Sequence, residues 1–133
     1  MNLQNALRLV LASVLIVLGA SASAEDAKVT PLMTKDLSGL ANKEGAMLLV
    51  EYPPGGTTAP HRHDAHTFVY VLEGAIVMQV KGGDAVTLGP GQTFYESPTD
   101  VHSVSKNASA TRPAKFLVFF VKEKGAPAVL PAP

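Results

Sequence analysis

The sequence predicts an all-β domain, a sandwich or an antiparallel barrel, on three observations. Short runs rich in β-branched and aromatic residues recur along the chain. Clusters containing Gly, Pro and Asp punctuate them at close intervals. No long stretch carries apolar residues at helical spacing.

The runs can be taken in order. Met47 to Tyr52 (MLLVEY) is a strand ended by Pro53-Pro54-Gly55-Gly56, and Phe68 to Leu72 (FVYVL) is the next. Glu73-Gly74 turns the chain, Ala75 to Lys81 returns, and Gly82-Gly83-Asp84 turns it again. Ala85 to Leu88 runs into Gly89-Pro90-Gly91, where Pro90 presets φ and Gly91 supplies the positive φ of a type II turn. Thr93 to Glu96, Val101 to Ser105 and Phe116 to Val121 (FLVFFV) complete the set. On the strand after Gly74, Ile76, Met78 and Val80 share one face, with Ala75 and Val77 on the other. One apolar face fills an interior; the other is compatible with a second sheet or a partner subunit. Residues 25–44 read as a polar extension with weak helix or loop signals, and 123–133 as a Pro/Ala-rich loose tail.

The first 24 residues fit a cleaved secretory signal. Arg8 gives a positive start, Leu9 to Ala20 is an uncharged apolar run, and Ala22-Ser23-Ala24 supplies small residues for cleavage after Ala24. The apolar run is short of the ~20 residues of a bilayer span. The expectation is therefore a periplasmic or secreted protein with no membrane association after cleavage. Loss of Arg8 leaves 10 of the 11 positive charges against 11 negative ones. A near-neutral chain has no electrostatic reason to bind nucleic acid or anionic lipid. With no cysteine in its 133 residues, the chain has neither disulfides nor thiolate chemistry, so any metal must be held by nitrogen and oxygen.

Three of the four histidines, His61, His63 and His66, fall within six residues. On a strand, side chains at i and i+2 share a face, so His61 and His63 aim two imidazoles at one point. Neutral imidazole is the commonest protein metal ligand, and such a pair is a clamp awaiting further ligands. The plain alternative is a solvated cluster in a surface loop, which Pro60, Arg62 and Asp64 would suit. His102 is the remaining histidine.

The stretch HRHDAHTFVYVLEG decides between these readings, because it resembles the first motif of the cupin superfamily: Gly55, five residues, His61-x-His63, three residues, position 67, six residues, Gly74. The stretch GQTFYESPTDVHSVSKN, from Gly91 to His102 and beyond, is similar to the second. The resemblance covers residues 45–122. It implies a single-domain, jelly-roll-like antiparallel β-barrel with His61, His63 and His102 as ligands of one divalent transition metal: Fe, Mn, Zn, Ni or Cu. The chain departs from the pattern at Thr67, where glutamate is usual, at Ser97 and Thr99, where proline and glycine are usual, and at Lys106, beside Asn107, where asparagine is usual.

The fourth position stays open. His66 would need a bulge to turn inward. Glu96 shares a face with Phe94; if that face is interior, Glu96 is a ligand, a partner of a ligand, or a general base and so a catalytic residue. If not, it is an exposed strand carboxylate. Water is the remaining choice. Tyr52, Tyr70, Tyr95, Phe68, Phe94 and Met78 are read as core or interface before pocket lining. By resemblance, the expected function is that of a metal-dependent dioxygenase, isomerase or lyase acting on a small organic molecule. The alternative is a non-catalytic module binding a metal or small ligand. A homodimer accords with the two-sided strands and with family habit.

Overall fold

The computed structural model describes residues 26–133, so the signal-peptide expectation for residues 1–24 lies outside the described residues. Within them no helix is long and apolar enough to cross a membrane, and the secondary structure is β throughout. The strands are β1 (Lys28–Asp36), β2 (Lys43–Tyr52), β3 (Thr57–Thr58), β4 (His61–Arg62), β5 (His66–Glu73) and β6 (Ile76–Val80). They continue as β7 (Val86–Leu88), β8 (Thr93–Glu96), β9 (Val101–Asn107), β10 (Ala114–Glu123) and β11 (Leu130–Pro131). One sheet has the order β1-β2-β10-β5-β8. The other runs β11-β4-β9-β6-β7, with β3 also on β9.

Alternation sets what each sheet buries. Along β10, Ala114, Phe116, Val118 and Phe120 face inward while Leu117 and Phe119 face out. Along β5, Thr67, Val69 and Val71 are buried and His66, Phe68 and Tyr70 exposed. Ile76, Met78 and Leu88 close the core from the second sheet. Phe116 and Phe120 are almost wholly buried, each worth roughly 1.5–3 kcal/mol in removed apolar surface. Gly74, at φ +71°, turns β5 into β6, and a Cβ there would lie 2.4 Å from the Pro113 carbonyl oxygen.

Two sequence expectations need correction. The 25–44 extension is not loop or helix over most of its length: Lys28–Asp36 pairs with β2 as an edge strand. Its register breaks between Pro31 and Met33, where proline has no N–H to give to a ladder. The 123–133 tail is not loose. Lys122, on the inner face of β10, is ion-paired with Glu44, its cross-strand neighbour on β2, and donates to the Ala126 carbonyl at 2.6 Å. That clamp turns the chain back so that β11 pairs with β4, Leu130 opposite Arg62 and Pro131 opposite His61.

β9 carries the feature that matters most for the interior. Its register against β6 shifts so that Val80 pairs with His102 and Gln79 with Val104, leaving Ser103 as a bulge. The extra residue reverses the phase of the strand. His102, Ser105 and Asn107 are consequently all buried despite their odd first spacing.

Candidate metal centre

β4 is only two residues long, yet it fixes the first half of the site. His61 sits directly opposite His102 of β9. Two residues on, Asp64 takes a positive φ of 49°, a conformation aspartate tolerates better than most residues. Asp64 also pairs with Arg62. The chain can therefore leave β4 with His63 still turned inward. His61, His63 and His102 are all buried, and one ring nitrogen of each lies within 4.8 Å of the others.

Hydrogen bonds settle the tautomers of two of them. His61 Nδ1 lies 2.7 Å from the Ala59 carbonyl oxygen and His63 Nδ1 2.7 Å from that of Ala128. A carbonyl only accepts, so both Nδ1 atoms carry a proton, and in the neutral ring each Nε2 is a bare lone pair. Those two Nε2 atoms face each other at 3.2 Å. Burial pushes the His63 pKa down to about 4, which opposes bridging them with a proton on that ring. Two converging acceptors call for an electrophile between or beside them. His102 adds to this: both its ring nitrogens are buried without a hydrogen-bond partner. Burial, with the neighbouring His61 and His63 adding to it, lowers its pKa to about 3. Buried orphan polar atoms are uncommon, and one cation would take the two Nε2 lone pairs together with one of the His102 nitrogens. The residues present thus fit a metal ion.

Glu96 is the fourth polar group at the centre. Its face of β8 is interior, not the exposed alternative, and the Phe94 ring stacks near His102 at 6.0 Å. Glu96 Oε1 lies 3.2 Å from His102 Nδ1 and Oε2 3.7 Å from His63 Nε2, and Oε2 has no hydrogen-bond partner. Burial, with Asp100 adding to it, raises its pKa to about 7.

His66 does not join this group. The β5–β10 register runs unbroken through Val121 opposite His66 and Phe120 opposite Thr67, so the bulge needed to turn it inward is absent there. The ring is exposed and its Nδ1 lies 2.7 Å from the Tyr95 hydroxyl. Thr67, by contrast, is fully buried. Of the aromatic and methionine residues flagged in the sequence, Tyr52, Met78 and Phe94 point inward. Phe68, Tyr70 and Tyr95 are each nearly half exposed on the outer face of the first sheet.

A cavity of about 80 Å³ opens beside the three imidazoles, walled by Leu48, Val50, Val69, Met78, Phe116 and Val118. A water needs ~10–15 Å³ on this measure, so there is room for a small molecule. Tyr52 also lines it, its hydroxyl held by Thr58 and Ser105 at 2.6 Å each.

A family profile described as a cupin domain matches residues 48–120, more than half of the chain. The chain belongs to the cupin family. Solved cupins share its fold, the double-stranded β-helix. The DMSP lyase DddQ from Ruegeria pomeroyi DSS-3 superposes with a TM-score of 0.63 at 20% identity, over 80% of this chain and 51% of the lyase. This cupin therefore spans about half the length of that enzyme. The polyketide cyclase RemF from Streptomyces resistomycificus gives 0.61 at 24% identity, over 82% and 72% of the two chains. An uncharacterized double-stranded β-helix protein from Klebsiella pneumoniae gives 0.63 at 17% identity, over 83% and 89%. No protein of curated function matches the sequence significantly.

Three groups at the site and one pairing had no legible signal in the sequence. The carbonyls of Ala59 and Ala128 orient the imidazoles but belong to the backbone. Ser105 faces inward only because of the bulge. The pairing of Glu96 with Thr67 across β5 and β8 is a matter of register.

Proposed function

We propose that this cupin is an exported, metal-dependent enzyme acting on a small organic molecule, with His61, His63 and His102 as the metal's imidazole ligands. The observation that carries the reading is the pair of Nε2 lone pairs 3.2 Å apart, each fixed by a backbone carbonyl on the far side of its ring. Partners that orient a ligand in this way are a recurrent part of metal sites. A bound divalent metal would supply Lewis acidity toward a carbonyl, carboxylate or similar oxygen of the substrate. The chain's own residues do the rest. The apolar cavity walls exclude water and select a small, largely apolar body. Glu96 is a buried carboxylate beside the three imidazoles, and with no metal bound burial raises its pKa to about 7. That DddQ is a lyase and RemF a cyclase is compatible with such chemistry, although the fold hosts many reactions. Export is supported by the pattern of residues 1–24, and the purified periplasmic protein should begin at Glu25.

The test is elemental analysis of untagged protein prepared without chelators. About one transition metal per chain, absent from His61→Ala, His63→Ala and His102→Ala but kept by His66→Ala, is the expected result. Metal-free wild-type protein that takes up none of Mn, Fe, Ni, Cu or Zn would overturn the reading.

A further inference from the structure

Position 67 is where the first cupin motif usually carries glutamate, and here it is a buried threonine whose hydroxyl lies 3.4 Å from the Ala65 carbonyl. Directly across the ladder from it, on the neighbouring strand β8, stands Glu96. Opposite residues of an antiparallel pair point to the same face with Cβ atoms ~4.5–5.5 Å apart. A carboxylate rooted at 96 therefore enters the interior next to where one rooted at 67 would, from one strand over.

Its surroundings are those of a ligand and not of a structural carboxylate. Glu96 is 2% exposed and, among the described residues, no lysine or arginine pairs with it; Oε2 lacks any hydrogen bond there, and nitrogens of His102 and His63 lie 3.2 and 3.7 Å from its oxygens. Consider the spacings at the centre: 3.2 Å between the two Nε2 atoms, 3.2 Å from Glu96 Oε1 to His102 Nδ1, and 3.7 Å from Oε2 to His63 Nε2. Ligands bound at ~2.0–2.2 Å to one ion are separated by about 3.0 Å when cis in an octahedron and about 3.5 Å in a tetrahedron.

We propose that Glu96 is the carboxylate ligand of the metal centre, supplied by β8 in place of the missing carboxylate on β5. This rests on the reading that the three histidines hold a metal. It gives the centre an anionic oxygen donor beside three neutral nitrogens. Such a donor favours manganese relative to zinc more than imidazoles alone do.

The experiment is calorimetric titration of metal-free wild-type, Glu96→Gln and His61→Ala proteins with Mn(II) and with Zn(II). Glutamine keeps the shape of the side chain and removes the anionic donor. The expected result is a Mn(II) affinity at least about tenfold weaker in Glu96→Gln, with a smaller loss for Zn(II). Moving the carboxylate back, Thr67→Glu in a Glu96→Thr background, should recover Mn(II) affinity over Glu96→Thr alone. A Glu96→Gln protein that binds Mn(II) as tightly as wild type, or loses both metals by the same factor, overturns the proposal. The histidine reading then still stands if His61→Ala is defective. Wild-type protein that binds neither metal, or His61→Ala that binds as wild type does, removes the histidine reading and this inference with it.

Discussion

In the metal-free protein, acid should weaken the fold through two histidines, and Glu96 should blunt the loss. Burial holds His63 at about 4 and His102 at about 3, against 6.5 for a free imidazole. Above pH 6.5 both rings are neutral whether the chain is folded or not. As the pH falls below 6.5 the unfolded chain takes up two protons that the folded chain refuses, and stability is lost until the folded values are passed. Glu96 acts in the opposite sense. Its value is raised to about 7 from 4.5, so between those limits the folded chain takes up a proton that the unfolded chain refuses. Near pH 5.5 the difference is one proton in favour of unfolding, and stability should fall by about 1.4 kcal/mol per pH unit. Glu96→Gln removes the offset. Its slope should approach about 2.7 kcal/mol per unit, and it should be the more stable protein above pH 7, where wild type buries a charge. Guanidinium midpoints of chelator-treated protein from pH 7.5 to 4.5 measure both slopes. Wild-type stability that is flat or rises between pH 6 and 5, or a Glu96→Gln slope no steeper than wild type, would refute the reasoning. Either result would mean that the buried imidazoles accept protons, for instance by pairing with Glu96.

Tyr52→Phe should cost about 1–2 kcal/mol in a denaturant titration, because it leaves the buried Ser105 and part-buried Thr58 hydroxyls without their shared partner. Gly74→Ala should cost at least about 2 kcal/mol, measured the same way, since it combines a positive φ with a backbone clash at Pro113. Ending the chain after Ala126 keeps the Lys122 clamp but removes β11 and the Ala128 carbonyl. Metal affinity by calorimetry should drop about 10- to 100-fold, with the thermal melt of the metal-free barrel little changed.

The strands that bury one face were legible because burial imprints a period of two on the sequence; β5 and β10 are clear cases. β1 was missed because it lies at a sheet edge exposed on nearly every residue, so no such pattern was selected, and Pro31 argued against a strand. β11 is two residues long and contains proline. At the site, the i, i+2 rule placed His61 and His63 together although His63 lies beyond the end of β4. The same rule applied to β9 would have put Ser105 on the wrong face, since a bulge at a serine leaves no compositional mark. That Glu96 shares a face with Phe94 was legible, but which way that face points was not, since a phenylalanine on a short strand can sit on either side. Nor was its place opposite Thr67, because register is fixed by the whole sheet and not by either strand.

The position of β10 and the tail has a consequence for how the molecule is made. β10 is the middle strand of its sheet, paired on both sides, and it begins only at Ala114. The carbonyl that orients His63 belongs to Ala128, further along the chain still. Neither sheet can therefore be completed before these segments are made: β2 and β5 must wait for the strand that joins them, and β4 for the strand at its edge. Long-range pairing of this kind delays folding until the far segment arrives. The barrel should close, and its three buried histidines reach their final geometry, only once β10 and β11 have been made and docked.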